Sequence, residues 1–379
     1  MIKQIKFVFA VGVLVASGAA SATTCANALI SFNSCGGSAS CEAQIMGFHP
    51  ECFSSGSNTA AAGKNVQSTS LETMLVVSAN AGNRSSAISG PPGKTADSGQ
   101  RNGLAAGNPA GKWNGWVSVA ESDVKYDRGT FKFAGAGADR TNKFDTRIDN
   151  FVLGGDYMWS PSLALGLSAS FDRGRGSVSS YTIAAPDAAK SVSTSGYSYA
   201  PYFGWQITKD WALDGMIGWG KGKSTVTSDA TVTSDSKRFF YGTNLGYTRW
   251  YGNMQITGKG SYLVGREDND DSKNNGTVTA NTKVSNELRQ LRVGAQAAFW
   301  MNGIMPYVGL AYANNQISST ATADQQDATA MGAGAYVWSL GANFISVKDA
   351  MTGGIGFEQE TGRSRSKNNK LMANINVRF

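Results

Sequence analysis

The chain ends in LMANINVRF, Leu371 to Phe379. Leu371, Ala373, Ile375, Val377 and Phe379 fall on one face of an extended strand, and Met372, Asn374, Asn376 and Arg378 fall on the other. Period two with unlike faces marks a β-strand lying between an apolar and a polar medium. The same alternation recurs upstream. Leu163, Leu165, Leu167, Ala169 and Phe171 oppose Ala164, Gly166, Ser168, Ser170 and Asp172, and Leu291, Val293, Ala295, Ala297 and Phe299 oppose Arg292, Gly294, Gln296 and Ala298.

Twelve such segments are expected, near 113–123, 147–159, 162–173, 195–207, 211–222, 238–250, 253–266, 286–300, 304–317, 330–345, 350–361 and 368–379. Their connections alternate in kind. Those after odd segments are long and rich in Ser, Thr, Asp and Asn. Those after even segments are a few residues only, as at Ser160-Pro161, Thr208 to Asp210, Tyr251-Gly252, Met301 to Gly303 and Ser346 to Asp349. A soluble sandwich has no reason to sort its loops by parity. An outer-membrane barrel does, because its periplasmic turns are short and its external loops long. Aromatic residues gather at both segment ends, with Trp159, Trp205, Trp211, Trp250, Tyr251, Trp300 and Phe344 beside short turns and Phe171, Trp219, Tyr262, Tyr312 and Phe357 near long loops. Indole and phenol rings favour membrane interfaces, where an apolar ring and a polar N–H or O–H are both accommodated.

Composition agrees. Charged residues are 16% of the chain, below the ~25% of ordinary soluble domains, and beyond the N-terminus no run approaches the ~20 apolar residues of a spanning helix. The expected fold is therefore all-β: a twelve-stranded antiparallel transmembrane barrel over 113–379, preceded by a short, largely irregular N-terminal region. Closure leaves no strand edge unpaired in lipid.

The preceding residues are chemically different. Lys3 and Lys6, the apolar stretch Phe7 to Val15 and the Ala20-Ser21-Ala22 site read as a secretory signal over 1–22, cleaved between Ala22 and Thr23. Cys25, Cys35, Cys41 and Cys52 lie in the exported region 23–62, and an even set there suggests two disulfides of undetermined pairing. A zinc site with His49 is the weaker alternative, since no C-x-x-C is present. Residues 63–112 combine a possible pore helix, VQSTSLETMLVVSAN at 66–80, with a Gly/Ala/Ser/Pro linker.

Several chemistries are excluded or disfavoured. His49 is the only histidine and precedes the barrel, so no histidine-dependent triad sits on its wall. Asp268 to Gly276 is no EF-hand, having Lys273 at the sixth position and Thr279 at the twelfth. Gly220 to Lys223 is no phosphate loop. The net charge of +7 falls to +5 once the two signal lysines are removed, too weak and scattered for nucleic-acid binding. No cofactor or metal is expected.

KWNGWVSVAESD (112–123), NFVLGGDYMWSPSLALGLSASFD (150–172), YSYAPYFGWQITKDWALDGMIGWG (197–220) and NINVRF (374–379) resemble the translocator domain of autotransporters, the type V secretion barrels of Gram-negative outer membranes. The resemblance implies a non-enzymatic, monomeric barrel inserted by the outer-membrane assembly machinery, with Ile375, Val377 and Phe379 as the assembly signal. It also implies anchoring or display of the short N-terminal region at the cell surface. The chain departs from the family pattern in lacking a long passenger of β-helical repeats, because the residues at 23–112 hold none. A small solute channel plugged by the N-terminal region is the alternative.

Two groups of wall residues follow from the alternation. Arg292, Gln296, Asn374, Asn376 and Arg378 are expected to line the pore, with Val293 and Val377 facing lipid. Arg173, Arg175, Lys221, Lys223, Arg266, Arg363, Arg365 and Lys367, with Lys237 and Arg238, recur where strands enter the long loops and are expected at the outer rim, as partners for lipopolysaccharide phosphates.

Overall fold

The computed structural model describes Met74 and residues 112–131, 140–182, 190–227, 231–280, 282–319, 333–346, 351–363 and 366–379. Twelve long strands form the wall: β1 Trp113–Phe131, β2 Arg140–Ser160, β3 Leu163–Thr182, β4 Lys190–Gln206, β5 Trp211–Thr227, β6 Thr231–Tyr251, β7 Met254–Asn269, β8 Val284–Phe299, β9 Ile304–Ser319, β10 Gly334–Ser346, β11 Met351–Thr361 and β12 Ser366–Arg378. Each pairs antiparallel with its neighbours, and β1 pairs with β12 from Asn114↔Arg378 to Tyr126↔Ser366, so the sheet closes on itself. Reciprocal backbone bonds between Trp113 and Phe379, 3.2 and 3.0 Å, extend that seam to the last residue. A short hairpin, Lys273–Asn274 with Thr277–Val278, stands between β7 and β8, turning at Asn275 and Gly276, both with positive φ. Such a two-residue turn matches the twist of its flanking strands.

The strands are longer than the sequence pattern indicates. β1 to β9 run for 16 to 21 residues, whereas about 9–11 suffice to cross a bilayer. Much of what reads as long loop, such as Lys221 to Thr227 and Thr231 to Lys237, is therefore hairpin standing above the membrane. There the outward face meets water and carries Ser, Thr and Lys in place of large apolar residues, while the inward face stays buried at Ser224, Val226, Val232 and Ser236. At the opposite end the chain reverses tightly, with positive φ at Gly252, Asn302 and Gly303.

The outer face follows the alternation throughout. Leu165, Leu167, Phe171, Leu291, Val293, Leu340, Ile355 and Val377 are all exposed large apolar side chains, as lipid contact requires. One aromatic belt lies near the tight turns, where Trp113 packs on Tyr157 and Trp211 on Tyr247, both at 5.0 Å between centroids. The second lies toward the long hairpins, where Trp219 packs between Tyr199 (5.8 Å) and Phe239 (6.0 Å). Trp250 and Trp300 stand beside the tight turns as expected but on the inward parity of their strands, where both are half-buried.

Candidate functional site

The lumen is the place where this fold brings distant residues together, and its two sides differ. On the β1–β7 side a buried apolar cluster consists of Trp116, Ala120, Val152, Ala200, Tyr202, Met216, Phe240 and Leu263, joined by Met74. Met74 lies upstream of the barrel in sequence, has helical backbone and is 3% exposed. Gly265 makes room for it, since a Cβ there would collide with the Met74 sulfur. The interior wall of a barrel normally faces water and is polar. An apolar wall patch instead fits a chain segment lying against it.

A polar network edges that cluster. Trp116 Nε1 donates to the Tyr202 hydroxyl at 2.7 Å, and Tyr202 donates to Asp156 Oδ2 at 2.8 Å. Asn114 Nδ2 donates to the same oxygen at 3.1 Å. Strands β1, β2 and β4 are thereby tied across the inner wall.

Higher on the same side, Arg238 of β6 lies flat along the wall. Its Nη1 donates to Asp172 Oδ1 of β3 at 2.6 Å and its Nε to Glu267 Oε1 of β7 at 3.0 Å. Ser236 adds a bond to the same Glu267 oxygen at 2.7 Å. The three charged side chains are 1%, 0% and 3% exposed. To reach Asp172 the guanidinium passes over β5 and β4 where Gly222 and Gly196 stand, and a Cβ at either would meet it. Glycine within a strand often marks such close approach.

The β8–β12 side is more polar, with only a small buried apolar cluster of Ala311, Ala313 and Val337. Arg292 grips Glu358 through two bonds, Nη2 to Oε1 at 2.7 Å and Nη1 to Oε2 at 3.3 Å. Gln290 donates to Asn315 at 2.8 Å. Arg292, Glu358, Glu360, Asn368 and Lys370 line a small cleft. The Arg292 and Glu358 side chains remain 28% and 17% exposed, unlike the Arg238 cluster.

Of the residues expected in the pore, Arg292 and Gln296 lie on the inner face of β8, and Asn374, Asn376 and Arg378 on that of β12. Val293, Ile375, Val377 and Phe379 lie on the outer face, exposed by 55%, 40%, 40% and 69%. The expected rim divides. Arg173, Arg175, Lys221, Lys223 and Lys237 point outward above the outer belt, as does Arg266, which is held by Asp268 at 2.9 Å. Arg238 turns inward. Arg363 is 5% exposed and bonded to Glu360 at 3.0 Å, while Lys367 is exposed on β12. Arg363 and Lys367 thus do not form one outward cluster. Arg365, Ala22, Thr23, Cys25, Cys35, Cys41 and Cys52 lie outside the described residues, as does the 66–80 segment apart from Met74. Sequence reasoning missed the Asp172–Arg238–Glu267 triad and the Trp116–Tyr202–Asp156 network. Gly196 and Gly222, flanked by strand residues, were the only local signal for the first.

A closed, twelve-stranded barrel with an apolar outer band, two aromatic belts and tight turns at one end defines an integral outer-membrane β-barrel. The family described as Autotransporter beta-domain matches residues 124–358, and the chain belongs to it. Its barrel accordingly resides in the outer membrane of a Gram-negative bacterium. The translocator domain of autotransporter NalP from Neisseria meningitidis has the same fold, at 11% identity over 71% of this chain and 89% of that one, with TM-score 0.54. The β-domain of the Bordetella autotransporter BrkA is 14% identical over 71% of this chain and 100% of its own, with TM-score 0.49. No curated protein sequence matches the chain.

Proposed function

We propose that this autotransporter barrel anchors its short N-terminal region at the outer membrane and holds part of it inside the lumen, without catalysing a reaction. The observation that carries the reading is Met74, buried against Phe240, Leu263 and Gly265 on the inner wall. An apolar side chain seated there removes from water a patch that an open channel would leave wet, and apolar burial is favourable at about 25 cal/mol per Å². Residues 23–62, bearing the four cysteines as two disulfides after signal cleavage at Ala22-Thr23, form the held or displayed cargo. Ile375, Val377 and the terminal Phe379 serve as the signal for the assembly machinery, and the barrel works as a monomer.

Planar-bilayer conductance tests this reading. The full chain should give low, intermittent conductance, and a variant lacking 23–112 that retains the heat-modifiable mobility of a folded barrel should conduct steadily at a higher level. Equal, stable conductance from both would favour a solute channel, the second reading, which the charged cleft of Arg292, Glu358 and Lys370 on the polar side supports.

A further inference from the structure

Above the outer aromatic belt, several outward-facing cations are neutralised by neighbours. Lys125 lies 3.4 Å from Asp123 and 3.8 Å from Asp145. Arg147 contacts Glu121, Arg266 contacts Asp268 and Arg289 contacts Glu287. At Lys367 of β12, and in a larger group on β3, β5 and β6, this pattern stops. Arg173, Arg175, Lys221, Lys223 and Lys237 are exposed and reach no carboxylate among the described residues. The nearest acids are already engaged: Asp149, opposite Arg173, lies 3.7 Å from Arg147, Asp235, opposite Lys223, pairs with Lys273 at 3.5 Å, and Asp268, opposite Lys237, pairs with Arg266.

Register sharpens the point. Lys221 stands directly across from Lys237 on one face, a like-charge pair that costs stability in a sheet. The row beneath it is Tyr199–Trp219–Phe239, the stacked core of the belt. One row above, Arg173 and Lys223 flank Ser195 of β4 from both sides. Cations and a hydroxyl thus converge immediately above the rings that mark the interface. The height, the uncompensated repulsion and the donor set all fit an anion supplied by the membrane.

We propose that Arg173, Lys221, Lys223 and Lys237 with Ser195 bind the phosphate groups of a phosphorylated glycolipid of the outer leaflet, whose acyl chains lie on the belt below. Lysine suits this role as a point charge and arginine as a fork of donors. The bound phosphate relieves the Lys221/Lys237 repulsion, so the site both localises lipid and stabilises the β5–β6 hairpin.

The test uses the full chain, folded in neutral detergent, and titrates bisphosphorylated lipid A by native mass spectrometry. The triple variant Lys221→Gln, Lys223→Gln, Lys237→Gln should bind it about tenfold or more weakly, with the parent's advantage shrinking as salt rises. The single Lys237→Gln variant should show a smaller loss in the same direction. Lys125→Gln with Arg289→Gln, which removes two neutralised cations on other strands, should leave affinity unchanged. Lipid A should also raise the parent's urea midpoint but not that of the triple variant. Equal affinity in parent and triple variant at low salt overturns the proposal, as does an equal loss in the Lys125/Arg289 variant. Complete displacement of lipid A by low-millimolar inorganic phosphate would overturn the lipid assignment in favour of a free-anion site.

Discussion

Across β1–β7 the inner wall presents Trp116, Val152, Tyr202, Met216, Phe240 and Leu263 around Met74, and its one buried ion cluster is sealed to 3% exposure or less. Across β8–β12 the equivalent inward positions hold Gln290, Arg292, Gln296, Glu358, Asn374 and Asn376, and the ion pair there keeps partial contact with solvent. Outside, along the lipid-facing band, the two halves are alike, with Leu165 and Phe171 on one and Val293 and Leu340 on the other, all exposed. Lipid imposes one composition on the whole outer face, while each stretch of inner face answers to what lies against it.

The largest difference between the halves should appear at the ions. Arg238→Ala strands two carboxylates in a sealed site and should cost about 3–5 kcal/mol, whereas Arg292→Ala, in a partly solvated pair, should cost about 1 kcal/mol or less. Urea unfolding of the folded barrel in detergent reads both, and equal costs would erase the distinction between a dry side and a wet one. Next in size, Val293→Arg puts charge against hydrocarbon and should cost about 2–4 kcal/mol in bilayers. Its neighbour Arg292→Ala should do less harm, and the reverse order would mean that the β8 register is shifted by one residue, which exchanges the faces.

A smaller effect is expected at Tyr202→Phe. This change removes the hydroxyl linking Trp116 to Asp156 and should lower stability by about 1–3 kcal/mol through the partners left buried. Gln296→Ala on the polar side should change the urea midpoint within about 0.5 kcal/mol. Assembly is a separate readout: Phe379→Ser should reduce outer-membrane levels and leave periplasmic fragments, and unchanged levels would remove its role as a signal.

The membrane-crossing part of each strand was legible because lipid on one face and lumen on the other enforce period two, as Leu371 to Phe379 displays. The hairpin extensions were not, because in stretches such as Lys190–Ser195 small polar residues occupy most positions on both faces, so burial still alternates, with Val192 and Thr194 inside, while the hydropathy does not. The luminal clusters were hidden for another reason. Arg238 meets partners 66 and 29 residues away, Asp172 on β3 across the two intervening strands and Glu267 on the adjacent β7, and no local spacing announces either. For the same reason Arg238 reads as a rim residue beside Lys237, although a one-residue step in a strand turns it from water to the lumen.

The central claim, that the residue at 74 rests on the β1–β7 side of the lumen, is tested most directly by cross-linking within the folded, membrane-inserted full chain with its four native cysteines changed to serine. Met74→Cys paired with Gly265→Cys should form a disulfide under mild oxidation, and Met74→Cys paired with Gln296→Cys should not. Equal cross-linking of the two pairs, or a preference for the Gln296 position, would contradict the account.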